Sequence, residues 1–285
     1  CSRLDDERAV SDLRFDGKVA VVTAARTEQG RRCVLVLAER GAQVVVNDAD
    51  VGQAAQVAKL VEDRGGTAMP NSAGVDSPEG GQAIVDAALE AFGGLDIVVH
   101  QTASRADASA QVMRTDADPT ELLAGMFGGY WLAQAAFIHM RRRGYGRIIF
   151  GCSLDPSIAD DLDGGNAVAG MGLLGLMNIL KVEGPEHNVK VNMVVPTGTA
   201  DPAAIGDVVA YLASESCAPA GEVFTVRGDG LARMFIGVTE GYFDPSLTSE
   251  TVRDRVGEFL DPAGFFVPDE ASGEITVLKR DLSTL

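Results

Sequence analysis

The sequence predicts an α/β protein built on a doubly wound parallel sheet, and three observations carry that prediction. Lys18 to Thr23 reads KVAVVT, an apolar, β-branched run of the kind buried on both faces of a parallel sheet. Behind it, strand-like and helix-length segments alternate, the pattern of successive βα units joined by right-handed crossovers. The 285 residues, 46% of them apolar, suffice for one large core.

The elements follow in order. Residues 28–40 carry Cys33, Leu35, Val36, Leu37 and Ala38 and stop at Gly41, a residue suited to the turn that ends a helix. Gln43 to Asn47 forms a second strand. Then come a helix over 50–64, a short strand near Ala68, a helix over 78–92 and a strand from Leu95 to His100. A helix over 119–142, a strand from Arg147 to Phe150, a helix over 166–183 and a strand from Lys190 to Val195 continue the series. A helix over 203–215 and a strand from Glu222 to Arg227 complete it. The remainder contains Gly241-Tyr242-Phe243-Asp244-Pro245 and a short amphipathic helix from Thr248 to Leu260, stopped by Asp261-Pro262. The boundaries predicted are a lead-in over 1–14, one domain over 15–235 and a C-terminal extension over 236–285 that packs on the same subunit or on a neighbour.

Composition narrows the function classes. With 24 basic against 41 acidic side chains the formal charge is −17, which argues against nucleic acid or an anionic membrane surface as partner. No apolar run approaches the roughly 18–20 residues that span a bilayer. The four cysteines, Cys1, Cys33, Cys152 and Cys217, form no disulfide framework and no metal-ligand spacing, so a reducing cytoplasm is expected. Cys1 in first place, without methionine, is uninformative.

Several segments carry a family resemblance: FDGKVAVVT at 15–23, LAERGAQVVVND at 37–48, FGGLDIVV at 92–99, GYGRIIF at 144–150 and VKVNMVVPTGT at 189–199. Together with the element order, they resemble the short-chain dehydrogenase/reductase family over roughly residues 15–235. The tail GYFDPSLTSETVRDRVGEF resembles the extension of actinobacterial members associated with steroid and acyl-CoA substrates. The resemblance implies a Rossmann-like fold, an NAD(P) cofactor, and a Tyr-x-x-x-Lys pair that moves a proton as hydride is transferred.

Both implied sites are altered. A diphosphate needs glycines after the first strand, because backbone amides at a helix N-terminus must approach it closely. Where the family has T-G-x-x-x-G-x-G, this chain reads Thr23-Ala24-Ala25-Arg26-Thr27-Glu28-Gln29-Gly30. Ala24 and Glu28 replace two glycines and only Gly30 remains. Glu28 competes for the amides and repels diphosphate, unless it swings outward and Arg26 or Arg31 assists binding. Asp48, ending the second strand, stands where an acidic residue commonly holds the adenosine ribose. Gly74 takes the place of an aspartate near adenine, and His100-Gln101-Thr102-Ala103 replaces Asn-Asn-Ala-Gly. The literal G-x-G-x-x-G at Gly170, Gly172 and Gly175 lies inside an apolar helix, follows no strand, and is read as helix packing.

The four residues Tyr130, Tyr145, Tyr211 and Tyr242 are followed four positions later by Gln134, Ile149, Glu215 and Ser246. No Tyr-x-x-x-Lys exists in the chain. Alignment with the family puts Asn166 in the tyrosine slot and Gly170 in the lysine slot. An amide cannot donate a proton at neutral pH, and glycine supplies no charge. Ser153, thirteen residues before Asn166, is the retained family serine.

Three functions remain. The favoured one is a dehydrogenase fold without dehydrogenase activity and with no cofactor, the structural or regulatory partner of an active subunit in a hetero-oligomer. Its pathway would concern acyl-CoA or steroid-like substrates, and its cleft could take a CoA thioester. In this family the helices corresponding to 119–142 and 166–183 pack against another subunit; the second is here almost uniformly apolar and predicts burial on all sides, by a partner or by self-association. The second is an active NAD(P)-dependent oxidoreductase whose partner or substrate supplies the missing acid. The third is cofactor-free hydrolysis or proton transfer by Ser153 and His100 with an acid from Asp155, Asp160, Asp161 or Asp163, although no nucleophile elbow surrounds Ser153. That aspartate loop reads otherwise as solvated and lacks a calcium-loop spacing. His139 and His187 read as solvated, and Tyr130 and Trp131 as core or interface aromatics.

Overall fold

In the computed structural model the first strand, β1 (Val19–Val22), is buried at every position, as its unbroken β-branched run requires. The structure describes residues 13–102, 119–152, 164–197, 200–228, 230–239, 247–261 and 264–267. From β1 the chain passes through α1 (Glu28–Glu39), β2 (Gln43–Asn47), α2 (Val51–Glu62), β3 (Thr67–Asn71), α3 (Pro78–Phe92) and β4 (Ile97–Gln101). It continues through α4 (Pro119–Arg143), β5 (Gly146–Gly151), α5 (Gly164–Glu183), β6 (Val189–Pro196), α6 (Pro202–Ala213), β7 (Val223–Arg227) and β8 (Gly230–Met234). The strands lie in the order β3-β2-β1-β4-β5-β6-β7-β8, and every pairing from β3 to β7 is parallel. The order reverses between β1 and β4, where open sheets of this kind take their ligands at the strand carboxyl ends.

Local chemistry sets the helix ends. Asp50 caps α2 through Gly52 and Gln53 N–H, and Ser77 caps α3 ahead of Pro78 in the first helical turn. Gly93 ends α3 in the left-handed conformation, φ 76°. One large core gathers Val22, Val44, Val46 and Val99 from the sheet with Val34, Leu37, Val57 and Val209 from the helices over it.

The base of the sheet is tied by one buried cation. Arg147 is fully buried and donates from Nε to the Ser214 carbonyl at 3.0 Å and from Nη1 to the Gly146 and Asn188 carbonyls at 2.8 and 3.0 Å. Its guanidinium lies 4.5 Å from the Tyr145 ring centroid, and Lys18 Nζ lies 3.8 Å from it. Burial pushes the Tyr145 phenol up to about 12.

Helices α4 and α5 pack closely where glycine removes a side chain. A methyl group on Gly125 would lie 3.4 Å from Ala169, and one on Gly129 or Gly172 would collide with Leu173 or Met126. Gly175 faces open space, whereas the missing side chain of Gly172 makes room for Met126 of α4.

Two expectations, the absence of a strand after β7 and a solvated His139, need correction. The sequence reading had no strand at β8; its residues are almost all exposed, so no buried pattern marks it. Helix α5 leaves Val168, Met171, Ile179 and Val182 exposed in the single chain. Tyr130 is exposed in the single chain and meets Trp131 edge-on, the ring centroids 4.7 Å apart. His139 is half-buried, not solvated: its Nε2 is out of solvent without a partner, and burial lowers its pKa.

The chain divides into two compact units, Cys1–Arg233 and Met234–Leu285. In the second, Val238 and Phe266 form an antiparallel bridge and Phe235 stacks on Phe265 at 5.4 Å. Helix α7 (Ser249–Phe259) is capped by Thr248. Among the described residues no helix is long and apolar enough to cross a membrane.

Candidate functional site

The carboxyl ends of β1, β2 and β4 converge on one turn. After β1 the backbone bends sharply at Ala24, a non-glycine residue with φ 50°, at the position of the first family glycine. Thr27 then caps α1: its hydroxyl donates to the Ala24 carbonyl at 2.8 Å and accepts from Gly30 N–H at 3.0 Å. Glu28 is the first residue of α1 and is exposed, while Gly30 is buried against the turn. A diphosphate laid over this helix start would lie beside the Glu28 carboxylate and find the Gly30 amide already bonded.

The left-handed conformation costs a non-glycine residue about 1–2 kcal/mol. Ala24→Gly is therefore expected to stabilise the chain by about 0.5–1 kcal/mol after the entropy of the freer unfolded chain is subtracted. Thermal unfolding, shifted upward by roughly 1–3 °C, checks this.

Asp48, the residue after β2, has a buried carboxylate that is fully engaged. It accepts from the Arg26 amide at 2.9 Å, from Arg26 Nη1 at 3.3 Å and from the Asp50 amide at 3.0 Å. A ribose would have to displace the Arg26 guanidinium to reach it. The adjacent Asn47 is also committed, donating to Asn71 Oδ1 at 2.7 Å and to the Ala73 carbonyl at 2.9 Å. At Gly74 the space for a side chain is taken by the Asp76 carboxylate, 2.6 Å from where a methyl group would sit.

His100, 2% exposed, crosses the cleft inside the protein. Its Nε2 lies 3.0 Å from the Gly125 carbonyl, which can only accept, so Nε2 carries the hydrogen. Nδ1 is then the acceptor for the Thr23 hydroxyl at 3.1 Å. Burial pushes the imidazole down to about 4, opposed in part by the bond to Gly125. The ring is neutral at physiological pH and, as placed, has neither nitrogen free to take a proton from an outside nucleophile. The neighbouring Gln101 turns inward, its amide 3.6 Å from Cys33 Sγ, and fills the space where Gly151 lacks a side chain.

The structure thus brings together Ala24, Glu28, Gly30, Asp48 and His100 at one end of the sheet. Gly170 is buried in α5; Asn166 lies in the same helix, its side chain outside the described residues. Ser153, Asp155, Asp160, Asp161 and Asp163 also lie outside the described residues. Among the described residues no cluster could hold a metal ion. Sequence reasoning missed Thr23 as partner of His100 and Arg26 as partner of Asp48. It also missed the glycines Gly125, Gly128 and Gly129, whose close spacing in a helix was a signal available beforehand.

Comparison with known proteins agrees with this architecture. The short chain dehydrogenase family model matches residues 18–207. A short-chain type dehydrogenase/reductase of Mycobacterium tuberculosis is 30% identical over 272 residues, covering 87% of this chain and 95% of that protein. Peroxisomal multifunctional enzyme type 2 of Drosophila melanogaster is 33% identical; the match covers 85% of this chain and 45% of that protein, so the chain spans less than half its length. The solved structure of the full-length fly enzyme superposes with a TM-score of 0.80 at 28% identity, covering 95% of this chain and 50% of that one. A family model matched from β1 into α6, and a relative aligned over nearly its full length, lead to one conclusion: the chain belongs to the short-chain dehydrogenase family.

Proposed function

We propose that this chain is a catalytically silent short-chain dehydrogenase subunit, the structural or regulatory partner of an active subunit of the same fold acting on acyl-CoA or steroid-like substrates. One observation carries the reading: Asn166 and Gly170 stand in the Tyr-x-x-x-Lys slots, and no other such pair occurs anywhere in the chain. Without a phenol and its ammonium neighbour no group at those positions can pass a proton to a carbonyl oxygen as hydride is delivered. The turn supports it. Glu28 at the helix start, Gly30 bonded to Thr27 and Asp48 bonded to Arg26 do not fit a dinucleotide, so NAD(P) has no place in the steps proposed.

The partner reading draws on the helices. Val168, Met171, Ile179 and Val182 on α5, with Phe127, Tyr130 and Ile138 on α4, expose apolar surface that association with another subunit, or self-association, would cover. The unpaired thiols Cys33, Cys152 and Cys217 suit a reducing cytoplasm. A CoA thioester remains the proposed alternative occupant of the cleft.

Family membership favours a second reading, in which the chain binds NAD(P) itself and a partner or substrate supplies the acid. Titration of the isolated chain with NAD(H) and NADP(H) separates the two. The silent subunit is expected to show no saturable binding up to millimolar nucleotide; micromolar binding with turnover sinks that reading and establishes the second. Purification from the native host tests the partner: an active paralogue at fixed stoichiometry is expected, whereas a homogeneous, catalytically active self-assembly overturns it.

A further inference from the structure

Helix α4 is weakly made where it crosses His100. Gly125, Gly128 and Gly129 fall within five residues of one helix. Each costs about 1 kcal/mol of helix propensity relative to alanine, so this half of α4 depends on tertiary contacts for its order. The glycines form a notch that the imidazole fills. A methyl group on Gly129 would lie 3.0 Å from His100 Cδ2, and one on Gly128 would lie 3.3 Å from Cε1 and 2.7 Å from Val75 Cγ2. From the notch, Nε2–H reaches the Gly125 carbonyl, while Nδ1 takes the Thr23 hydroxyl at the end of β1. The side chain therefore bolts the weakest stretch of α4 to the sheet.

Among the described residues, every element around the ring presents an uncharged group. These are Thr23 from β1, Gln101 from β4, Phe150 edge-on from β5 at 6.4 Å, and the glycines of α4. Val75 closes the notch from the loop before α3, and Leu173 of α5 abuts Gly129. Asp76, next to Val75, holds its carboxylate against Gly74. The described charges on α4, Arg141 to Arg143, lie three turns or more beyond Gly129. Among the described residues, burial lowers the ring's proton affinity and the Gly125 carbonyl raises it. A second proton would place an uncompensated charge in that pocket.

We propose that His100 is an acid-sensitive pin: neutral, it holds the glycine-rich half of α4 on the sheet, and proton uptake releases that half while the central strands stay folded. The pin acts on α4 whether or not any nucleotide binds. The sign follows from linkage. The opened form, with an exposed imidazole near the usual 6.5, binds more protons than the closed form with its ring held at about 4, so opening grows as pH falls between those values. From pH 7 to pH 4.5 the opening equilibrium should rise about 50-fold.

Amide hydrogen exchange on the full chain, corrected for intrinsic rates, together with NMR titration of the histidine rings, tests this. Protection of amides around Gly125 to Tyr130 should fall about 50-fold from pH 7 to 4.5, while amides of β1, β4 and β5 change less than about threefold. In His100→Asn, which keeps a neutral polar side chain, the selective loss should vanish. Equal loss in α4 and the central strands overturns the proposal, as does selective loss that survives in His100→Asn. Should that variant fail to fold, the wild-type chain decides alone: protection in α4 must begin to fall near the exposed-imidazole value of 6.5 and level off near the closed-ring value of about 4, and loss confined outside that range overturns the pin.

Discussion

Arg147→Ala is expected to destabilise the chain by about 3–5 kcal/mol, the largest effect of any single substitution considered. Three carbonyls, from Ser214, Gly146 and Asn188, receive hydrogen bonds from this one guanidinium at 2.8–3.0 Å. Truncation removes this donor from all three, leaving the Ser214 and Asn188 carbonyls only the longer bonds from Cys217 N–H at 3.4 Å and Gly146 N–H at 3.2 Å, beside a cavity the size of the lost side chain. It also removes one of two cations set against Tyr145, worth about 0.5–2 kcal/mol. Arg147→Met separates these contributions, because it restores volume without donors; it should recover the packing part and leave the hydrogen-bond part missing. Arg147→Lys should also recover little, since one ammonium replaces a planar fork whose donors diverge. Denaturant midpoints for the three variants check the order Met and Lys above Ala, all below wild type.

Gly30→Ala should cost about 2–3 kcal/mol and lower the melting temperature by roughly 5–10 °C. The added methyl group would be driven into the carbonyl oxygen of Ala24 and to 3.0 Å from Thr27 Oγ1. Neither can retreat freely. The Ala24 carbonyl accepts from Thr27, and Thr27 is the cap of α1, itself worth about 1 kcal/mol. The gain of about 1 kcal/mol from better helix propensity offsets only part of this. The consequence bears on function: Gly30 is required by the packing of the turn, so its presence in a glycine pattern says nothing for a diphosphate. Calorimetry of Gly30→Ala beside Ala24→Gly checks the pair, which should shift in opposite directions.

Most of the fold was legible because its signals are local. The β-branched runs at β1, β2 and β4 are buried because they are central strands. The predicted helix over 78–92 matches α3 at both ends because Ser77, Pro78 and Gly93 mark them chemically. The exceptions are elements without a local signal. β8 is an edge strand with exposed side chains, and only its neighbour makes it a strand. The exposed stripe on α5 shows the limit of composition: an almost wholly apolar helix is buried only as far as one chain has surface to cover it.

The sequence by itself determined that no Tyr-x-x-x-Lys occurs and that Ala24 and Glu28 stand in the segment after β1, and it placed them in the βα order. Tertiary structure alone decided how the remaining groups are occupied. His100 meets Thr23 across 77 residues and Gly125 across 25, and Asp48 meets Arg26 across 22. Periodicity carries no information about such partners. A hydrogen bond forms where the closed sheet brings two atoms within about 3 Å, and that distance exists only once the core has assembled.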